Sequence, residues 1–330
     1  AYSTDRGKTW TCYQGTPVIK HTGRDPKLIW YAPGKHWVIA LFDERAPYGG
    51  NISIYTSNDL KKWEYASSIA GYYECAEIFE LPVDPPTSNS GVTSGSPATK
   101  KWVIFAADAK YAIGNFDGKK FTPEHEGKHQ VHWGKYYASQ CFSGNPDGRV
   151  VQIGWAQIGM PGMPFNQAFS LPTELTLHTT DDGIRMFASP IKELEKLRKP
   201  SPRTISNKEL TAPAPMVEFD VADQLLDIVV TLKKGTAGQA VLGFGDNAVT
   251  YHFESQKLDD MPLKMKDGKV TFRVLVDRPM FEVVGGDGAC YKTGGRRDMG
   301  KPLGKISLTA QGGALAVESF TAYEMKSIWK

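Results

Sequence analysis

Short apolar runs bounded by turn residues recur along the first part of the chain in one fixed order, the pattern of strands rather than of amphipathic helices. One set occupies residues 24–31, 36–42, 51–57 and 61–65, and a second occupies 74–81, 101–107, 110–116 and 119–121. A third, more diverged, occupies 136–142, 150–156, 168–178 and 183–188. Ahead of them stands only the tail of a further copy, Ala1 to Trp10, in which Ser3-Thr4-Asp5-Arg6-Gly7-Lys8-Thr9-Trp10 reads as a hairpin that locks a repeat. Four-strand units at a period near fifty residues predict the blades of a β-propeller, and such rings close with roughly four to eight blades. The chain holds about three and a quarter of them, so the expectation is an incomplete propeller.

The pattern changes after residue 189. Residues 190–197 give a short helical pattern followed by Pro200 and Pro202, and from about Lys208 strands alternate without the blade order. They fall at 216–221, 226–232, 239–244, 248–253, 269–276, 280–284, 305–308 and 314–319, and Thr271-Phe272-Arg273-Val274-Leu275-Val276 alternates as a strand with one buried face does. A β-sandwich is the economical reading. The expected organisation is therefore a propeller over residues 1–189, a linker over 190–207 and a sandwich over 208–330. The Ser, Pro and Gly-rich stretch 85–99 reads as an exposed hairpin excursion within one blade.

Composition narrows the function classes. Basic and acidic residues nearly balance, 39 against 36, which gives no electrostatic footprint for nucleic acid or an anionic membrane. No apolar run reaches the roughly 20 residues of a membrane helix. The chain begins without methionine or a charged-then-apolar leader, so a targeting signal is expected upstream and the compartment stays unread. Cys12, Cys75, Cys141 and Cys290 show no paired spacing and are expected as free, mostly buried thiols. His129 and His132 have helix-like spacing but lie in an expected loop without a third ligand, so no metal and no cofactor is anticipated.

The repeat also places the chemistry. The first strand of each blade lines a propeller's channel, and Asp25 and Glu74, 49 residues apart, both stand at the start of such a strand. That spacing is close to the 53 residues between the blade-closing Trp10 and Trp63. Paired carboxylates in a sugar-sized pocket suit glycoside cleavage, in which one group protonates the leaving oxygen while another meets positive charge on the ring. The plain alternative is that Asp25 pairs with Arg24 or caps a turn before Pro26.

Arg24-Asp25-Pro26, Glu74-Cys75-Ala76-Glu77-Ile78-Phe79-Glu80-Leu81-Pro82, Phe116-Asp117-Gly118, Tyr137-Ala138-Ser139-Gln140, Ile153-Gly154-Trp155, Ser170-Leu171-Pro172-Thr173-Glu174-Leu175-Thr176-Leu177, Leu275-Val276-Asp277-Arg278 and Ser327-Ile328-Trp329 occur in this order. The series resembles glycoside hydrolase family 32, the family of invertases, inulinases and levanases. The resemblance implies an all-β fold, a five-bladed propeller followed by a C-terminal β-sandwich, and cofactor-free hydrolysis of fructose-containing oligo- or polysaccharides. It makes Glu74 the general acid/base, Asp25 the stabiliser of the oxocarbenium-like transition state and Arg24 a holder of carboxylates and sugar hydroxyls. Burial or neighbouring carboxylates would keep the acid protonated. Tyr137 and Trp155 are either pocket walls that stack on sugar or blade-packing aromatics. Cys75 reads as a packed small residue rather than a nucleophile. A secreted or periplasmic location is implied by the resemblance alone.

One family feature has no counterpart: the nucleophile aspartate lies in a Trp-Met-Asn-Asp-Pro-Asn-Gly type motif, and no Asn-Asp-Pro occurs in the 330 residues. The expectation is the C-terminal part of a retaining β-fructofuranosidase, its open propeller edge covered by the missing N-terminal fragment or a second copy. The alternative is a noncatalytic fructan-binding module or inactive homologue. An inverting, arabinan-cleaving five-bladed family fits the propeller but not the settings of Arg24-Asp25-Pro26 and Glu74-Cys75.

Overall fold

The computed structural model describes residues 1–20, 22–44, 50–84, 99–212, 217–221, 224–297 and 301–328. The hairpin excursion expected at 85–99 lies outside the described residues but for Thr99, as does Trp329 of the closing motif. Two compact units emerge, Ala1–Leu81 with Lys100–Lys128, and Pro82–Thr99 with His129–Lys330.

The first unit carries two antiparallel sheets in simple up-and-down order. One is β1 (Arg24–Tyr31), β2 (His36–Asp43), β3 (Asn51–Ser57) and β4 (Glu64–Ala70), and the other runs β5 (Glu77–Pro82), β6 (Lys100–Phe105), β7 (Lys110–Phe116) and β8 (Phe121–Pro123). Val38, Ala40, Ile52 and Ile54 of the first sheet share a core with Ile78, Ile104 and Ala112 of the second, which removes the apolar face of each from water. The turn before the last strand is built the same way in both sheets. Asp59 Oδ1 accepts the amides of Lys61 and Lys62 ahead of Trp63, and Asp117 Oδ1 accepts those of Lys119 and Lys120 ahead of Phe121. The N-terminal hairpin follows suit: Asp5 accepts both the amide and hydroxyl of Thr9, and Tyr2 bridges to Thr11. An aspartate satisfying its own turn's amides marks the repeat, and those bonds hold Asp5 down at about 2.

The second unit begins with short strands β9 (His129–Gln130) and β10 (His132–Gly134) and continues with β11 (Tyr136–Cys141), β12 (Val150–Ala156), β13 (Ala168–Phe169), β14 (Thr173–Thr180) and β15 (Gly183–Pro190). β11, β12, β14 and β15 form a third four-strand path in that order. The strand expected at 168–178 is interrupted at 170–172: Pro172 has no amide to donate, and the Leu171 amide turns instead to the Glu282 carboxylate at 3.3 Å. His129 and His132 lie in strands, not in the expected loop.

A 3₁₀-helix, Lys192–Leu197, follows. The sandwich strands begin at Arg203–Thr211, five residues before the expected onset. One sheet runs β10, Cys290–Gly295, Met280–Gly285, Lys269–Asp277, Leu225–Lys233, Ala314–Glu324 and Arg203–Thr211; the other runs Val217–Val221, Gly304–Gln311, Gln239–Phe244, Asn247–His252, Lys257–Leu258 and Met261–Pro262. Ile228, Val230, Phe272, Val274 and Phe320 meet Leu242, Phe244, Tyr251, Ile306 and Leu308 in the core between them. Asp227, fully buried in that unit, accepts Arg273 Nε and Arg198 Nε, both at 2.7 Å, so its desolvated charge is doubly compensated.

Candidate active site

The start of β1 is bulged. Arg24 faces Phe42 and Lys27 faces Ala40, so three steps on β1 meet two on β2. Asp25 takes up the extra residue with φ at 55°, a left-handed conformation that costs a non-glycine residue roughly 1–2 kcal/mol. Glu74 and Cys75, just before β5, are also left-handed, at 52° and 44°. β11 repeats the irregularity, with Ala138 at 49° where Tyr137 faces Trp155 and Gln140 faces Ile153. Bulges re-aim side chains, and strained backbone of this kind clusters where side-chain direction matters.

Arg24, Asp25 and Glu74 come together in the first unit. Arg24 Nε and Nη2 donate to Glu74 Oε1 at 3.2 and 2.8 Å, and the same Nε lies 4.0 Å from Asp25 Oδ2. One guanidinium therefore spans both carboxylates, which keeps them well within the roughly 10 Å that bounds catalytic carboxylate pairs. Asp25 Oδ2 also accepts the Cys75 amide at 3.0 Å. Below this pair, Lys27 and Glu77 form a buried ion pair at 3.0 Å. The three links join residues 24 to 74, 25 to 75 and 27 to 77, a constant offset of 50. These contacts step by 50, one more than the 49 residues that separate Asp25 from Glu74, and Glu74 and Cys75 both share the left-handed backbone of Asp25.

Three further groups at this site escaped sequence reasoning. Glu44, just beyond β2, accepts Arg24 Nη1 in a short ion pair. The Phe42 and Tyr73 rings lie 4.6 and 6.0 Å from the guanidinium carbon and fix its plane. The hydrogen bond to Glu44, then that to Glu74, raises the Arg24 pKa above its ordinary value, so the group is a permanent cation. The signal for Lys27 and Glu77 was the 50-residue offset. For Glu44 the sequence offers only its place after Asp43 at a strand end.

Glu74 is about one-quarter and Asp25 about one-third exposed, so of the two routes expected to keep the acid protonated, burial is only partial. The Cys75 thiol is pushed up to about 12, by burial first and then by Asp25 and Glu74, so it stays a neutral, poor nucleophile. All four cysteines are free, and two, Cys141 and Cys290, are buried. Tyr137 and Trp155 belong to the second unit, where their rings meet edge to face at 6.1 Å; Trp155 remains 40% exposed. Among the described residues, no group of three His, Cys, Asp or Glu side chains is placed to hold a metal ion.

Residues 1–190 match the family model described as the glycosyl hydrolases family 32 N-terminal domain. The chain belongs to glycoside hydrolase family 32. A levanase of Bacillus subtilis (strain 168) is 32% identical over 392 residues, covering 100% of this chain and 55% of that protein. Invertase 1 of Saccharomyces cerevisiae is 32% identical across 64% of this chain and 43% of its own length. The chain thus spans about half the length of the curated relatives it matches. Among solved structures, an exo-inulinase from Aspergillus awamori superposes with a TM-score of 0.86 at 22% identity, covering 99% of this chain and 74% of that one. That likeness shows the fold, all-β of the propeller-plus-sandwich kind.

Proposed function

We propose that this chain is the C-terminal part of a retaining β-fructofuranosidase that releases terminal fructosyl units from levan, inulin or sucrose. Residues 1–189 supply propeller blades, and the sandwich follows from the strand that begins at Arg203. The observation that carries the reading is the guanidinium shared by two carboxylates at neighbouring strand starts, in a chain whose relatives are named levanase, invertase and exo-inulinase.

In this mechanism the Glu74 carboxyl gives its proton to the glycosidic oxygen as the bond to the fructosyl carbon breaks. A nucleophilic carboxylate from outside the 330 residues takes that carbon, forming a glycosyl ester. Glu74, now ionised, removes a proton from water as the water's oxygen displaces the ester, and fructose departs. The Asp25 carboxylate, held by the Cys75 amide, faces the positive charge of each oxocarbenium-like transition state. Arg24 orients Glu74 and donates to sugar hydroxyls. Tyr137 and Trp155 are proposed as pocket walls.

The test is fructose release from the three substrates by the 330-residue chain and by a form extended upstream. The extended form should turn over and the short form should not. Glu74→Gln in the extended form should lose roughly 10²- to 10⁴-fold in rate. Binding of levan without turnover by both forms would favour the noncatalytic module instead.

A further inference from the structure

We infer that Glu44 is a positioning residue for the reaction: by competing for Arg24 it keeps the proton affinity of Glu74 high enough for Glu74 to act as an acid. The inference rests on the proposed hydrolase reading and deepens it.

A general acid must carry its proton near working pH, and an arginine on its carboxylate favours the opposite state. Arg24 places Nε and Nη2 on Oε1 of Glu74, which stays about one-quarter exposed. Besides Asp25, whose Oδ2 lies 4.0 Å from Nε, the carboxylate on the same guanidinium among the described residues is Glu44, which takes Nη1, the remaining arm of the fork. The Phe42 and Tyr73 rings pack on the guanidinium, which meets Glu74 through Nε and Nη2 and Glu44 through Nη1, so its single positive charge is divided between the two carboxylates.

Among the described residues of the first unit, the charged groups on the neighbouring elements have partners of their own. From β1, Asp25 accepts the Cys75 amide, and the charge of Lys27 is matched by Glu77 of β5. From β2, Asp43 accepts the Ser53 hydroxyl at 2.9 Å. Next along the chain the Cys75 thiol is neutral, and beyond β6 Asp108 pairs with Lys110. Glu44 is 55% exposed, carries no core packing and ends the strand that delivers Phe42, so its removal changes charge without opening a cavity. Its loss acts on Glu74 twice in one direction: a nearby negative charge disappears, and Arg24 is released to pair with Glu74 alone. Both favour the ionised carboxylate.

Glu44→Gln in a fructan-hydrolysing extended form should move the basic limb of the kcat/KM profile down by about half a pH unit or more. Activity should be retained at acid pH, and Glu44→Asp should restore the limb. Independently of turnover, a carboxyl-¹³C titration of the 330-residue chain, with the Glu74 signal assigned by its loss in Glu74→Gln, should show Glu74 ionising at lower pH in Glu44→Gln. An unmoved Glu74 titration would overturn the role of Glu44 even if the enzyme is active. A shifted titration in a protein that cleaves no fructan would uphold the coupling and reject the hydrolase reading on which the catalytic role rests.

Discussion

The ion pair of Lys27 and Glu77 shows how a single residue can hold two strand starts in step. Glu77 is fully buried and Lys27 nearly so, and removing one partner of such a pair leaves an uncompensated charge that costs about 3–5 kcal/mol. Lys27→Met should therefore lower the unfolding free energy of the first unit by about 3 kcal/mol, read from urea denaturation. Because the pair lies two and three residues from Asp25 and Glu74, the same change should reduce kcat more than it raises KM. A denaturation midpoint unchanged by Lys27→Met would show that Glu77 is compensated from elsewhere. Arg24, Asp25 and Glu74 were legible as residue types because their neighbours in sequence are distinctive. Their exposure and the claim of Glu44 on Arg24 were not, since both depend on which side chains the bulge turns toward each other.

At the scale of the element, the bulge itself is what sequence could only half announce. Strand runs and their order follow from local pattern, but the last strands of the first two sets start later than expected, at Glu64 and Phe121, because the aspartate turns at Asp59 and Asp117 take up the residues before them. A one-residue bulge leaves no such trace, because Asp25, Cys75 and Ala138 share a left-handed backbone but no side-chain chemistry. The interruption at 170–172 was likewise hidden, as its cause lies more than a hundred residues away at Glu282. Ala138 gives a clean test of the repeated bulge, being half-buried and away from the paired carboxylates in sequence. Ala138→Gly should be neutral or stabilise by up to about 1 kcal/mol, since glycine adopts φ near +49° without steric cost. Ala138→Val should destabilise by about 2 kcal/mol, since a β-branched side chain is a genuine outlier there. Equal melting temperatures for the two variants would mean that the bulge is not held in solution.

For the molecule as a whole, the division into blades and sandwich is drawn by the pattern of strands, but the second unit is knit across it. β10 extends the sandwich sheet by pairing in parallel with Cys290–Gly295, and the Glu282 carboxylate accepts the Leu171 amide, the Tyr291 hydroxyl and the Thr293 hydroxyl. A Cβ added to Gly288 would come within 2.8 Å of the Ala188 carbonyl oxygen, so the backbones meet directly there as well. Nothing cationic hydrogen-bonds to Glu282 among the described contacts, and burial pushes its pKa up from 4.5 to about 8 despite the three donors. His132, stacked on Tyr136 at 3.8 Å in the same region, is pushed down to about 3 by burial and stays neutral. The joint is therefore built to be uncharged. A carboxyl group that binds its proton more tightly folded than unfolded contributes stability that is fully present below the unfolded value near 4.5. That stability is lost as pH rises through about 8, because ionising Glu282 in the fold means leaving a charge in an apolar site. Unfolding of the second unit should accordingly become easier between pH 5 and 8, by an amount on the order of 4 kcal/mol if the full shift is expressed. Glu282→Gln keeps one acceptor oxygen, and its amide nitrogen can donate to the hydroxyl that loses its acceptor, while the ionisation is removed; its stability should be flatter over that range and should exceed that of the parent at pH 8. Chemical denaturation of parent and variant at pH 5, 6.5 and 8 makes the comparison; a parent whose stability does not fall, or a variant that falls in parallel with it, would show that Glu282 does not set the pH response of this joint.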